Sequence, residues 1–394
     1  MDQTNRPSRL LGVDAARLAA ILGMFAAHVF NLYERESQGA YSPTFTGAVA
    51  SGRASVLFMV LAGVSLTLLV RSMARRGYPN PKIYSALALR ASIIAVLGML
   101  IGPANDGIAI ILVHYGLLFL LLPLALRLSR VTIWIVSASW LLIMPILWRP
   151  LAFAWAGQTL GHNPTFTDLL TPGLLFKDLL VTGYYPLMVW FGYGLLGIAI
   201  GRTALALPRT AIRFTAWGTG IAGLTLALGW FATRQFLDQI AATTKIPLSN
   251  ASTLVLTGRL PRVTMDPFMA ESAYLWLPTA HSNSLIFTIH AAACAVAVIG
   301  IMQLAVPHLG KLGRFMAGAG RAPLTLYVGH ILLLPLLQDF LEPITIWWIL
   351  CAATAVLGLW LGFSKATGPL EYVVRVLSGA DSDPPDNNAR SLPR

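Results

Sequence analysis

Arg17 and His28 stand eleven residues apart in one apolar run, DAARLAAILGMFAAH. At about 100° per helical residue, eleven residues come within roughly 20° of three full turns. Both side chains therefore lie on one stripe of a helix, about 16 Å apart along its axis. Asp14, three residues before Arg17, is within ion-pair reach on the same face. Ionisable groups inside a hydrophobic span are costly and usually mark function. An imidazole titrating near pH 6.5 can take a proton from a hydroxyl or amine. A guanidinium suits an anionic or carbonyl-bearing ligand. A ligand that touches both groups must be long and thin, as the pantetheine arm of an acyl-CoA is.

The elements that hold these residues follow from composition. The 394 residues are 56% hydrophobic and 11% charged, with a mean hydropathy of +0.68. Repeated apolar runs of about 20 residues predict an all-α fold, a polytopic transmembrane helical bundle. Ten spans are expected, with eleven as the alternative. They lie near 10–32, 50–70, 84–102, 107–126, 131–148, 185–202, 212–232, 283–304, 323–341 and 344–363. The first carries charges and lacks a small-residue cleavage site, so it reads as an uncleaved anchor. Segments 1–9, 71–83, 127–130, 203–211, 305–322 and 364–394 are basic. The alternate segments hold only Arg35, Arg149, Lys177, Arg234, Lys245, Arg259 and Arg262. This alternation predicts that both termini are cytoplasmic in a plasma-membrane protein. It also accounts for the net charge of +12 without a nucleic-acid partner. Residues 1–377 read as one transmembrane domain. Long outer loops at 149–184 and 233–282 are expected to fold back over the outer face, and 378–394 to form a disordered cytoplasmic tail. The two cysteines, Cys294 and Cys351, fall inside spans and suggest neither a disulfide nor a metal framework.

With the amino terminus inside, Arg17 lies in the inner half of the membrane and His28 near its outer surface. Arg53 then starts the second span at the outer end, Asp106 the fourth, and His281 precedes the eighth. These four outer groups come from distant parts of the chain and share one depth, as a catalytic site requires. Each has a plainer reading: Arg53 as a snorkelling anchor, Asp106 as a helix cap, His281 as a loop residue. His114, His290 and His330 lie deeper and read as neutral imidazoles bonded to other helices. Arg90, near an inner helix end, reads as an anchor or as a contact for a cytosolic phosphate.

GVDAARLAAILGMFAAHVF resembles the opening helix of the multipass membrane acyltransferase superfamily, in which an Arg is followed after ten residues by a His. LFMVLAGVSL is similar to its second-helix pattern. The closer resemblance is to the bacterial branch related to heparan-α-glucosaminide N-acetyltransferase, with its YeiB-like carboxy-terminal region. GRASVLFMVLAGVSL, GIAIILVHYGLLFLLLPL, TGYYPLMVWFGYGLLGIAIGR, TAHSNSLIF and AGRAPLTLYVGHILLL carry it in order over most of the chain. The resemblance implies transfer of an acyl group, most simply acetyl, from cytosolic acetyl-CoA or another acyl-CoA to an extracytoplasmic glycan or glycolipid. It implies His28 as the catalytic His and Arg17 as the donor contact, with Asp14 at the acidic position; Arg90, from its depth, joins them on the donor side. Arg53, Asp106 and His281 fall on the acceptor side, and no metal is implied.

Two classes of function remain open on the sequence. One is this acyltransferase, by direct transfer or through an acyl-His28. The other is a transporter of an envelope lipid or organic anion, since intramembrane Arg and His suit both. The absence of a sequence repeat and of paired broken helices favours the enzyme. A scaffold without activity is a third possibility.

Overall fold

The computed structural model describes residues 10–379 apart from Gln38, Asp106 and Lys365. Within these residues every expected span contains a helix. They are α1 (Leu11–Val29), α2 (Arg53–Arg75), α3 (Asn80–Ile101), α4 (Leu112–Leu121), α5 (Arg130–Ala154), α6 (Leu187–Gly201), α7 (Pro208–Thr244), α8 (Leu285–Ala305), α9 (Pro323–Leu337) and α10 (Pro343–Phe363). Starts follow local chemistry. Pro opens α7, α9 and α10, where its missing N–H costs nothing. The Ser129 hydroxyl accepts from Thr132 N at the start of α5, and Ser284 does the same for Phe287 N at α8. Lys245, with φ 58°, ends α7 in the left-handed conformation.

Seven of these helices are long and apolar enough to cross a membrane. Two more crossings form if each of two bent pairs counts as one, and α4 with its continuation to Arg127 is shorter. The chain is an all-α membrane protein. Among the described residues the only sheet is two short hairpins, Tyr33–Arg35 with Tyr41–Pro43 and Arg259–Leu260 with Val263–Thr264.

The bent pairs correct one expectation. Pro172–Thr182 joins α6 across a 55° break, and Gly310–Ala319 joins α9 across a 64° break. Broken helices are thus present, and their absence no longer argues against transport. Each break has a local cause. The first contains Gly183 and Pro186; the second contains Gly320, with Pro323 opening the helix beyond it. A Cβ at Gly320 would lie 1.7 Å from the Asp14 carbonyl oxygen, so only Gly allows the break to press onto α1. Irregular backbone at this depth is tolerable where it lines a cavity, and both breaks do.

α1 packs against α2, α8, α9, α10 and the helix Gly310–Ala319. Amino-terminal and carboxy-terminal elements therefore share one core. The long segments 149–184 and 233–282 contain short helices such as Pro172–Lys177 and Leu248–Thr257. α5 runs to Ala154 and α7 to Thr244, both beyond their expected ends; on α7, Phe236, Leu237 and Ile240 keep an apolar face on the core. The expected tail, from 380 onward, lies outside the described residues.

α2 and α6 cross through glycine. A Cβ on Gly197 would fall 2.0 Å from Val60 O and 2.9 Å from Gly63 Cα. Such small-residue contacts let membrane helices approach closely. Gly197→Ala should destabilise by about 1–3 kcal/mol, read as a lower thermal midpoint of the detergent-solubilised protein. Gly197→Leu should fail to fold. An unchanged midpoint for both would contradict this crossing.

Candidate active site

α1 meets different partners at its two ends. Toward the N-terminal end of α1, Arg17 donates to Asp14 and, at 2.9 Å, to Ser65 Oγ on α2. The pair lines a cavity of about 200 Å³ together with Arg90, Tyr115, Phe58 and Glu371. Glu371, on the helix Pro369–Leu377, accepts from Leu324 N, Thr325 N and Thr325 Oγ1 and so caps α9. Arg321, from the break before α9, also reaches this cavity. Sequence reasoning placed Arg17, Asp14 and Arg90 near one another, and the structure brings them together.

At the C-terminal end of α1, His28 Nδ1 lies 2.9 Å from His330 Nε2 on α9, with the rings nearly parallel. His330 Nδ1 lies 3.3 Å from the Leu326 carbonyl oxygen, which can only accept. Hydrogen-bond logic then assigns both tautomers. His330 carries its proton on Nδ1 and accepts at Nε2, so His28 donates from Nδ1. The lone pair of His28 is left on Nε2, which makes no hydrogen bond to a described residue. His28 lines a cavity of about 770 Å³, with Tyr184, Tyr185, Arg259 and His281 around it.

His281 sits in the left-handed region, φ 58°, in the loop before α8. Such backbone costs energy in a non-glycine residue and collects at functional sites. The loop is held by Trp190 Nε1 donating to Asn283 Oδ1 at 2.9 Å, Tyr274 OH to Ser282 O at 2.9 Å, and Ser284 Oγ to Leu277 O at 2.6 Å. Burial, reinforced by the nearby Arg259 charge, pushes the His281 imidazole down to about 3. It is therefore neutral at physiological pH. Its ring packs 4.5 Å from that of Tyr184.

Arg53 is not among the residues lining the His28 cavity: its Nε donates to His290 Nε2 at 3.0 Å, although its charge still reaches His281. His290 completes that interhelical link through Nδ1, which lies 3.1 Å from the Ala222 carbonyl on α7. The bonded role expected for His290 is thus observed. His114 differs: neither ring nitrogen has a partner among the described residues. Asp106 lies outside the described residues, although Gly107, Ile108 and Ala109 beside it line the outer cavity.

Two residues at the centre were not singled out from sequence as site members. His330 is separated from His28 by 302 positions, and its one signal was an ionisable group in an apolar helix. Arg259 counted only as a loop charge, yet it lines the His28 cavity.

Arg17 and His28 line separate cavities. A chain of rings runs between them: Tyr115 against Phe58 at 5.3 Å, Phe58 against Tyr327 at 6.3 Å, Tyr327 against His330 at 5.1 Å. Neither side of this arrangement offers a metal cluster among the described residues.

The sequence model of the family described as heparan-alpha-glucosaminide N-acetyltransferase, catalytic, matches residues 9–244. The chain belongs to this family. The match covers more than half of the chain and includes Asp14, Arg17, His28, Arg53 and Arg90. It ends before His281 and His330. No curated protein matches the chain. Membership makes the protein a membrane acetyltransferase in general class.

Breaking one side of a buried ion pair costs roughly 3–5 kcal/mol, because the partner stays charged. Arg17→Met and Asp14→Asn should each lower the thermal midpoint, and the double variant should lose less than the two single losses added. Strict additivity in this double-mutant cycle would deny the coupling.

Proposed function

We propose that the protein moves an acetyl group from cytosolic acetyl-CoA to an amine or hydroxyl of an extracytoplasmic envelope glycan or glycolipid. The observation that carries this reading is the His28–His330 pair, which presents an unprotonated Nε2 beside the larger outer cavity. His28 takes the acceptor's proton at Nε2, and the nitrogen or oxygen attacks the thioester carbonyl. The tetrahedral intermediate collapses with loss of the CoA thiolate, which the His28 imidazolium reprotonates. His330 continues to accept from Nδ1–H as charge develops on His28, so it acts as a positioning residue. Arg259 supplies positive potential for the oxyanion, and neutral His281 stands on the acceptor side. Arg53 braces α2 against α8.

Arg17 and Arg90 hold the donor at the inner cavity, whose basic lining suits CoA phosphates. For the thioester to reach His28, the pantetheine arm must part Phe58 from Tyr327, so the described state is closed between the two sides. The Lys/Arg distribution supports cytoplasmic termini, an outward-facing His28 end and residence in the plasma membrane. The shared core of early and late helices supports one transmembrane unit over 1–377. The two broken spans are the observation that favours a transporter instead; family membership weighs against it.

With purified protein, acetyl-CoA and glucosamine as the probe acceptor, His28→Ala should lower turnover by about 10²–10⁴-fold. His330→Leu should also lower it, while His330→Gln, whose amide oxygen can accept from Nδ1–H, should restore part of the loss. Donor binding by calorimetry should persist in all three. Near-normal turnover in His28→Ala would sink the assignment and favour the transporter.

A further inference from the structure

Three arginines converge where α2 and α6 end and α5 begins. None of them lines the His28 cavity, the outer chamber next to it or the Arg17 cavity. Arg71, about 27 Å along α2 from Arg53, donates to the Gly201 carbonyl at 2.9 Å. Arg202, at the end of α6, donates to the Leu126 and Leu128 carbonyls of the α4–α5 connection. Arg130 opens α5 and makes no hydrogen bond to a described residue. The charge of Arg130 acts on both Arg71 and Arg202, and that of Arg71 acts on Arg202, so the three share one field. Arg75, one turn further along α2, adds to it.

No carboxylate of a described residue pairs with any of the three. Each guanidinium offers five N–H donors, so most of their donors are uncommitted. Holding like charges together is unfavourable, and carbonyl partners offset only part of that cost. A plain anchoring role accounts for Arg71 and Arg202, which tie helix ends together. It does not account for Arg130, which ties nothing. An anion that bonds to all three accounts for the whole group.

The class of anion follows from charge and surroundings. Forked donors without a carboxylate suit a phosphate. Val131 and Ile135 continue the surface from Arg130 along α5, 68% and 59% exposed, and Leu124, just before the Leu126 carbonyl, is 68% exposed. These side chains offer an apolar wall to chains attached to that phosphate, and a free phosphate has nothing to place there. A lipid whose headgroup carries its own cation cancels its phosphate charge, so a net anionic lipid fits the field better. The Lys/Arg bias assigns this end to the cytoplasmic leaflet, where basic pockets between helices bind anionic headgroups.

We propose that Arg71, Arg130 and Arg202 form a site for the phosphodiester of an anionic phospholipid, whose acyl chains lie against Leu124, Val131 and Ile135. The site does not depend on the transferase reading.

The test is native mass spectrometry of the full-length protein in detergent, titrated with phosphatidylglycerol or with phosphatidylcholine of the same chains. Phosphatidylglycerol should bind at least about tenfold more tightly. Arg130→Gln should weaken that binding about fivefold, and Arg71→Gln combined with it about 25-fold. Arg130 is exposed and bonds to no described residue, so this variant should fold even if the double variant does not. Arg209→Gln, an exposed position at the start of α7, removes the same charge outside the group and should leave the preference intact. Equal retention of the two lipids, or equal losses in Arg130→Gln and Arg209→Gln, would overturn the site. Displacement of phosphatidylglycerol by inorganic phosphate at matching concentration would overturn the lipid assignment, since the acyl chains would then add nothing.

Discussion

The hydrogen bond between His28 and His330 is the constraint on which the rest of the structure depends. An imidazole buried among apolar helices can serve as a base only if one nitrogen is held and the other is left open. His330 supplies the hold, and the Leu326 carbonyl in turn decides which nitrogen of His330 is free to accept. This contact ties α9 to α1, and α9 itself is a short helix after a sharp break. A straight continuation of Gly310–Ala319 would carry His330 elsewhere, and the turn at Gly320 is possible only because no Cβ stands against the Asp14 carbonyl.

The same break ties the two sides of the molecule together. Gly320 and Arg321 line the cavity beside Arg17, while His330, on the helix beyond the break, meets His28 at the larger one. The other break, at Gly183–Pro186, places Tyr184 and Tyr185 on the wall of the outer cavities. Both breaks thus line cavities, while Arg17, His28 and His330 themselves sit on regular helix. Between the sides, Phe58 and Tyr327 fill the space with rings.

Much of this was legible in the sequence, because the features concerned are local. Runs of about 20 apolar residues located the helices, and the eleven-residue spacing put Arg17 and His28 on one unbroken α1. Asp14 found Arg17 through the helix repeat alone. What was illegible depends on long-range direction. Arg53 shares its depth with His28, but depth says nothing about rotation, and its guanidinium turns to His290. His330 was read as a structural imidazole because no local pattern could show that its partner lay on α1. His114 was expected to be bonded and has no partner among the described residues. The breaks could have been anticipated from Gly183 with Pro186 and from Gly320 with Pro323, had small residues next to Pro been weighed against apolar continuity.

The most direct test of this account is a structure with an unreactive acetyl-CoA analogue, its thioester sulfur replaced by methylene. The account predicts the nucleotide phosphates at Arg17 and Arg90, with Phe58 and Tyr327 parted around the pantetheine arm. The carbonyl should lie within reach of an acceptor held at His28 Nε2, and the His28–His330 bond should be intact. An analogue seated with its phosphates in the outer cavity, or with its carbonyl remote from His28 while Phe58 and Tyr327 remain in contact, would contradict it.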